Sequence, residues 1–330
     1  MGESFMGESM EALIELNNVK TYYFIPKGLF RTNAVRAVDG VSLTVHRGET
    51  VAIVGESGSG KTTLGKTAVR LLEPIAGKIL FEGKDITHLK GDMLQFRRKA
   101  QMIFQDPFTS LNPYMTIRQI LEEPLIIHRI GDSNEREEII AKALTEVKLS
   151  PPEEFLSKYP HMLSGGQRQK VGIARALVLR PDFIVADEPV SMIDASSRAE
   201  ILYLLRNIQR EYKIGIMYIT HDIATTKYFS DNIAVMYLGK IVEFGSTSKV
   251  LKNPLHPYTK ALMEAVPDPD PSNRFKERKV IPGEPPSPIN PPSGCRFHPR
   301  CPHATERCKK EEPKFVEVEP DHYVACYLYE

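Results

Sequence analysis

A glycine-rich octapeptide is the clearest chemical motif in the chain. Residues 55–62 read Gly-Glu-Ser-Gly-Ser-Gly-Lys-Thr, which fits the phosphate-loop pattern of a glycine, four free positions and then Gly-Lys-Ser/Thr. The apolar run from Thr50 to Val54 precedes the motif and a helical pattern follows it, so backbone N–H groups at a helix start would meet a phosphate. Lys61 would add a point charge for the β- and γ-phosphates, and the Thr62 hydroxyl would bind Mg²⁺. The predicted phosphate contacts are Gly55, Ser57, Gly58, Ser59, Gly60, Lys61, Thr62 and Thr63.

Two adjacent carboxylates end a second apolar run. The segment from Phe183 to Ala186 is followed by Asp187 and Glu188. We expect this strand to lie beside the strand of the phosphate loop, because the ends of both would then open on one edge of the sheet. Asp187 would hold Mg²⁺ through its water shell, and Glu188 would polarise an attacking water.

A second glycine-rich helix start follows Leu163. Ser164, Gly165, Gly166 and Gln167 precede a helical apolar pattern, so Ser164 would cap a helix whose free N–H groups attract an anion. One chain therefore carries two phosphate-seeking helix starts about 100 residues apart. Two chains arranged head to tail would place each of these segments over the other chain's nucleotide.

The surrounding pattern is that of an α/β domain with an extension. Short apolar runs alternate with longer helical patterns, which is typical of buried parallel strands joined by crossover helices. Nine of the 25 prolines lie between Pro267 and Pro292, which predicts a linker or an extended arm. The formal net charge of +1 gives no electrostatic footprint for nucleic acid. No run approaches 18 apolar residues and the N-terminus lacks a secretory signal, so we expect no membrane span.

Four cysteines are confined to the last 36 residues: Cys295, Cys301, Cys308 and Cys326. Such clustering predicts one site. Disulfides are disfavoured because a cytoplasmic compartment keeps thiols reduced. The spacing lacks both the C-x₂-C pairs of structural zinc sites and the common ferredoxin run, so it does not choose between metals.

In the order and spacing of these motifs, the chain resembles the nucleotide-binding subunit of an ABC transporter. The resemblance covers about 255 residues. The resemblance implies a P-loop ABC cassette, with a mixed sheet and a helical subdomain, that hydrolyses ATP. It also implies that Gln105 links Mg²⁺ and water to a transmembrane partner, that His221 contacts the γ-phosphate, and that Asp194 makes a contact across a dimer. Tyr23 is the expected adenine-stacking residue, with Tyr22 as the competing choice.

Three positions depart from the family pattern. Val190 stands where Thr or Ser is usual after Asp-Glu-Pro, and the loop that usually reads Ser-Ala-Leu-Asp contains Met192 and Ile193. These changes put packing and turnover rate in question but leave nucleotide binding intact.

Further segments resemble the dipeptide, oligopeptide and nickel importer subfamily: residues 105–113, Pro160-His161 and residues 253–259. The resemblance implies peptide import, with nickel or oligosaccharides as alternative cargo and a soluble ABC ATPase acting on nucleic acid or ribosomes as the rival class. Implied partners are a second ATPase subunit, two permease subunits and an extracytoplasmic binding protein, at the cytoplasmic face of the membrane. For the four cysteines it implies a [4Fe-4S] cluster, with Zn²⁺ as the alternative.

The expected organisation has three parts. Residues 1–12 would be a disordered N-terminus, and 13–266 would be the nucleotide-binding domain with its helical subdomain at about 106–180. Residues 267–330 would form the Pro-rich arm and the four-cysteine metal-binding region.

Overall fold

The structure is a computed structural model that describes residues 11–27, 31–89, 91, 93–266 and 283–330. The expected disordered N-terminus lies outside the described residues except for its last two positions, of which Ala12 opens a strand. Residues 267–282 of the predicted arm also lie outside them.

Twelve strands and eleven α-helices follow one another among the described residues. In chain order they are β1 (Ala12–Lys27), β2 (Arg31–His46), β3 (Thr50–Val54), α1 (Lys61–Ala68), β4 (Ala76–Phe81), β5 (Lys84–Asp85), α2 (Met93–Lys99), β6 (Ala100–Ile103), α3 (Ile117–Ile127), α4 (Ser133–Glu146), α5 (Glu153–Leu156), α6 (Gly165–Leu177), β7 (Phe183–Asp187), α7 (Ala195–Tyr212), β8 (Gly215–Thr220), α8 (Ile223–Phe229), β9 (Asn232–Tyr237), β10 (Lys240–Ser246), α9 (Thr247–Lys252), α10 (Pro257–Glu264), α11 (Glu306–Lys310), β11 (Val316–Glu319) and β12 (His322–Val324).

The central sheet has the strand order β11-β12-β10-β9-β3-β8-β7-β6. Strands β6, β7, β8, β3 and β9 run parallel, whereas β10, β12 and β11 continue the sheet antiparallel. Every residue of β3, β7 and β8 is buried, because parallel strands are covered on both faces. A second, antiparallel sheet has the order β2-β1-β4-β5. The prediction of an α/β cassette with a mixed sheet is confirmed.

The expected pairing of the two chemistry-bearing strands is wrong. Strand β8 lies between β3 and β7 and pairs with both in parallel. Fully buried runs look alike in sequence, so their order in the sheet has no local signal. Because all three strands are parallel, their carboxyl ends still open on one edge of the sheet.

Helix α1 packs across β7 and β8, and Gly65 makes that contact possible. A Cβ at Gly65 would lie 2.6 Å from Ile219 Cδ1 and 2.7 Å from Val185 Cγ1. The absent side chain therefore lets the helix that follows the phosphate loop approach the two strands that carry the carboxylates and the histidine.

Helices α3 to α6 fall within the region predicted as a helical subdomain, and their inner faces share one apolar core with the central sheet. Helix α3 begins with a capping box made by Thr116 and Gln119. Helix α6 begins with another, made by Ser164 and Gln167. Both caps satisfy N–H groups that a helix start leaves unpaired.

Residues 283–330 pack on the cassette. Strand β12 pairs with β10, and the Phe297 side chain lies in the main core. The chain is thereby anchored where the four cysteines occur. Over the described residues, no helix combines the length and the apolar character that crossing a membrane requires.

Candidate active site

The phosphate loop connects β3 to α1. Two of its glycines lie so close to neighbouring backbone atoms that no side chain would fit. A Cβ at Gly55 would lie 2.2 Å from Met236 O, and one at Gly60 would lie 2.0 Å from Ala37 O. Both distances are far below any real Cβ contact, so neither position accepts a side chain. The loop is therefore held in the shape that brings its N–H groups together at the start of α1.

Lys61 is folded back into this loop. Its Nζ donates to the carbonyl oxygens of Gly55 and Glu56, each at 2.8 Å. Burial lowers the pKa of Lys61, an effect opposed by the carboxylates of Glu188, Asp187 and Glu56. Nearby, Ser59 Oγ is buried with no hydrogen-bond partner in the part of the chain that the structure describes. An ammonium group and a spare hydroxyl in a cradle of N–H groups suit an anionic phosphate.

Thr62 and Asp187 form an oxygen-rich pair beside the loop. Thr62 Oγ1 donates to Asp187 Oδ1 at 3.0 Å, and Asp187 is buried. Burial raises the pKa of Asp187, while the Thr62 hydrogen bond lowers it. Hydroxyl and carboxylate oxygens are the ligands that Mg²⁺ prefers in proteins, so these residues fit the predicted ion.

Glu188 contacts the other two predicted catalytic residues, Gln105 and His221. Gln105 Nε2 donates to Glu188 Oε2 at 2.8 Å, and His221 Nδ1 lies 3.2 Å from Glu188 Oε1. Both carboxylate oxygens therefore have a partner, supplied from beyond β6 and β8. A carboxylate held at a strand end in this way can accept a proton from an attacking water.

The backbone of Glu188 is in the left-handed region, with φ of +44°. Such a conformation costs a residue other than glycine about 1 kcal/mol or more. It is stabilised by Glu188 N donating to Ile219 O at 2.9 Å and by Ser191 N donating to Glu188 O at 3.1 Å. The sequence alone did not indicate this role of Ser191, because no local motif marks a residue that supports the backbone of Glu188.

A cavity of about 290 Å³ opens at this edge of the sheet. Its lining includes Gly55, Glu188, Val190, His221 and Leu262. The departure at Val190 thus places an apolar side chain in the cavity wall. Ile193 is buried, whereas Met192 is 55% exposed.

Tyr22 and Tyr23 have different partners. Tyr22 Oη donates to Asp39 Oδ1 at 2.6 Å, which ties that ring to β2. Tyr23 is 41% exposed, and its hydroxyl lies 3.3 Å from Thr63 Oγ1 at the start of α1. This arrangement favours Tyr23 as the ring available to a base.

The Ser164 helix start packs beside the loop that carries Asp194. A Cβ on Gly166 would lie 3.3 Å from Ser197 Oγ, and Asp194 caps α7 by accepting from Ser197 N at 3.0 Å. The segment predicted to act across a dimer and the residue predicted to contact the partner are therefore neighbours in this chain.

Comparison with known proteins agrees with this geometry. The family description "ABC transporter" matches residues 38–191, and "Oligopeptide/dipeptide transporter, C-terminal region" matches residues 242–308. The chain is 47% identical to the oligopeptide transport ATP-binding protein AppF of Bacillus subtilis (strain 168), across 97% of this chain and 98% of AppF. The chain belongs to the ABC transporter ATPases. It is therefore an ATPase whose site hydrolyses ATP to ADP and phosphate.

Solved ABC ATPases have the same fold. The cbiO1 protein of Clostridium perfringens aligns with a TM-score of 0.64 and 27% identity, over 74% of this chain and 92% of that one. The cassette MJ0796, in a dimeric post-hydrolysis state with ADP and Pi, aligns with a TM-score of 0.63 and 30% identity, over 71% and 99%.

The four cysteines of this ABC ATPase line one cavity of about 180 Å³. Burial raises the pKa of the Cys295 thiol to about 11 and also raises the pKa values of Cys301 and Cys326. Nowhere in the described ranges do three Cys, His, Asp or Glu side chains stand close enough to hold one metal ion. The cavity would hold several waters, each about 30 Å³, and so offers more room than one ion needs.

Sequence reasoning missed the residues that connect this segment to the phosphate loop. Arg300 forms an ion pair with Glu56, and Tyr258 Oη accepts from Glu56 N at 2.8 Å. Residues 253–259 were singled out only as a subfamily mark, and an arginine between cysteines carries no signal of a partner 244 positions away.

Proposed function

We propose that this ABC ATPase energises the uptake of di- and oligopeptides across the cytoplasmic membrane. The similarity that supports the proposal extends beyond the cassette into the C-terminal region. AppF, named for oligopeptide transport, is similar along nearly its whole length. A protein named as a peptide import ATP-binding protein from Brucella ovis is 49% identical over 297 residues, across 90% of this chain and 93% of that one.

In this proposal the chain is a peripheral subunit at the cytoplasmic face of the membrane. It works with a second ABC ATPase subunit, two transmembrane permease subunits and an extracytoplasmic peptide-binding protein. The cargo touches the other subunits, so the chemistry of this chain is confined to ATP and to transmitting closure of the cassettes.

Glu188 is the proposed general base. It would accept a proton from the water that attacks the γ-phosphate, while Gln105 and His221 orient its two oxygens through the contacts at 2.8 and 3.2 Å. Lys61 and the loop N–H groups would hold the phosphates. Thr62, Asp187 and Gln105 would hold Mg²⁺, whose chemistry is to neutralise charge on the β- and γ-phosphates.

The remaining predicted residues complete the nucleotide site. Tyr23 would stack on adenine, and the helix start formed by Ser164, Gly165, Gly166 and Gln167 would cover the γ-phosphate bound to a partner cassette. Asp194 would contact that partner. The dimeric state of MJ0796 with ADP and Pi supports two cassettes closing on nucleotide, with the interface complete only in the dimer.

We also propose that Cys295, Cys301, Cys308 and Cys326 hold a [4Fe-4S] cluster, with Zn²⁺ as the alternative. The support is their placement around one cavity whose volume exceeds that of a single ion. A cluster would crosslink a segment with few buried apolar residues. Protein purified without oxygen should be brown and contain about four irons per chain; a colourless sample with one zinc per chain would contradict this assignment.

Transport in vesicles tests the function. Reconstituted with its partner subunits, the chain should drive ATP-dependent uptake of labelled di- and oligopeptides, and Glu188→Gln should lower ATP hydrolysis by about 100-fold or more. Glu211→Gln, which neutralises an exposed carboxylate at the far end of α7, is the matched control and should keep both activities. Uptake of nickel or an oligosaccharide in place of peptides, or ATPase stimulation by RNA without any membrane partner, would overturn the proposal.

A further inference from the structure

Arg300 belongs to the C-terminal cysteine segment, residues 283–330, and its side chain contacts the phosphate loop. Its Nη1 donates to Glu56 Oε2 at 2.9 Å and its Nη2 donates to Glu56 Oε1 at 3.2 Å. The arginine side chain is 7% exposed and that of Glu56 is 26% exposed. This two-pronged pairing is the strong geometry for an arginine and a carboxylate.

An aromatic cluster holds both partners in place. Arg300 Nη1 also lies 3.4 Å from Tyr237 Oη, and Tyr258 Oη accepts the backbone N–H of Glu56. The Phe297 ring packs 5.3 Å from that of Tyr237 and 5.5 Å from that of Tyr258. The backbone and the side chain of Glu56 are thus both held by residues that follow the nucleotide motifs in the chain.

The negative charge of Glu56 means that its pairing with Arg300 affects the binding of an anionic substrate. Glu56 follows the first glycine of a loop that must receive an anionic triphosphate, and its carbonyl accepts from Lys61 Nζ. Glu56 is also one of the three carboxylates whose charge acts on Lys61. A carboxylate without a partner at this position would repel phosphate and would compete for the lysine.

We propose that Arg300 is a positioning residue of the ATP site. It neutralises Glu56 and fixes the second residue of the phosphate loop, so the C-terminal cysteine segment is a part of the nucleotide site. Arg300 acts through Glu56 and not by touching the nucleotide.

The test is the Kd for MgATP of the full chain, measured by calorimetry in a Glu188→Gln background that prevents hydrolysis. R300M should raise Kd about tenfold, because Glu56 is left unpaired beside the triphosphate. Adding E56Q should restore Kd to within threefold of the starting protein, since the repelling charge is then gone. Lys314→Met removes an exposed lysine from the same segment and should leave Kd within twofold.

A conservative variant distinguishes loss of the Arg300–Glu56 pairing from a general loss of structure. R300K keeps the charge without the two-pronged geometry and should raise Kd about threefold, with the midpoint of urea unfolding unchanged. The proposal is overturned if R300M binds MgATP within twofold of the starting protein, if E56Q fails to improve R300M, or if R300K is as weak as R300M. Any of these results would assign Arg300 to folding of the segment alone.

Discussion

His256 is the buried residue whose protonation the fold resists most clearly. Its Nδ1 accepts from Tyr258 N at 3.0 Å, which caps α10, and the backbone N–H of His256 donates to Glu243 Oε2 at 2.8 Å. Burial, together with the positive charge of Lys260, lowers the pKa of His256 from 6.5 to about 3. The imidazole is therefore neutral in the folded chain throughout the physiological range.

This depressed pKa predicts acid lability. Below pH 6.5 the unfolded chain takes up a proton at His256 that the folded chain refuses, so stability falls as pH falls from about 6.5 towards 3. At about 1.36 kcal/mol per pH unit, the contribution between pH 6.5 and 4.5 is about 2–3 kcal/mol. Urea unfolding of His256→Asn, which keeps a capping oxygen but does not titrate, should show a pH dependence weaker by that amount. An unchanged pH dependence would contradict the prediction.

The predicted catalytic and phosphate-binding residues differ in how well the sequence alone could assign their roles. Lys61, Thr62, Asp187 and Glu188 belong to local motifs whose types and spacing state their chemistry. The role of His221 came only from resemblance, because a lone histidine after an apolar run has no distinctive pattern; the structure adds its contact with Glu188 Oε1. A pairing between distant residues has no local signature at all, since it exists only once the chain has folded.

At the scale of elements, the positions of strands and helices in the sequence were more predictable than the order of the strands in the sheet. The run from Thr50 to Val54 is strand β3 with the bounds expected, and Ser164 caps α6 as its residue type predicts. The insertion of β8 between β3 and β7 was not predictable, because three uniformly apolar strands carry no mark of their order. The packing of α1 on β7 and β8 was equally hidden in the sequence, because the lack of space for a side chain at Gly65, between α1 and Ile219 or Val185, is seen only in the folded chain.

Helix α10 shows how one element serves both halves of the molecule. Its N-cap His256 and its Tyr258 belong to the segment singled out by subfamily resemblance, and Tyr258 reaches Glu56 N in the phosphate loop. One turn further along the same face of the helix, Leu262 lines the cavity beside Glu188. A helix outside the nucleotide motifs thus touches both ends of the catalytic edge.

At the scale of the whole molecule, two buried arginines tie the cysteine segment to the ATPase core. Arg296 pairs with Asp39 of β2, and Arg300 pairs with Glu56 of the phosphate loop. Both arginines lie between Cys295 and Cys301 in sequence, and Cys295 N donates to Cys308 O at 2.8 Å. A group held by the four cysteines, as proposed above, would therefore fix the short stretch of backbone from which both arginines extend.

This connection predicts that the cysteine site and the ATP site influence each other. Cys308→Ser should release the metal proposed at the cysteines and raise the Kd for MgATP, although Cys308 touches no residue of the phosphate loop in the contacts described. If the effect passes through Arg300, Cys308→Ser in an R300M chain should raise the Kd for MgATP by less than a further twofold. If Cys308→Ser raises Kd by the same factor with and without R300M, the coupling does not pass through Arg300.

Reciprocity provides the stricter form of the same prediction. A coupling between two binding sites acts equally in both directions, so saturating MgATP should strengthen retention of the metal proposed at the cysteines by the same factor by which loss of that metal weakens ATP binding. Metal release to a chelator, followed by visible absorption in Glu188→Gln protein with and without MgATP, measures this factor. In an R300M chain the nucleotide should no longer protect the metal, because the ion pair that joins the two sites is absent. Equal protection in both proteins would contradict a connection through Arg300.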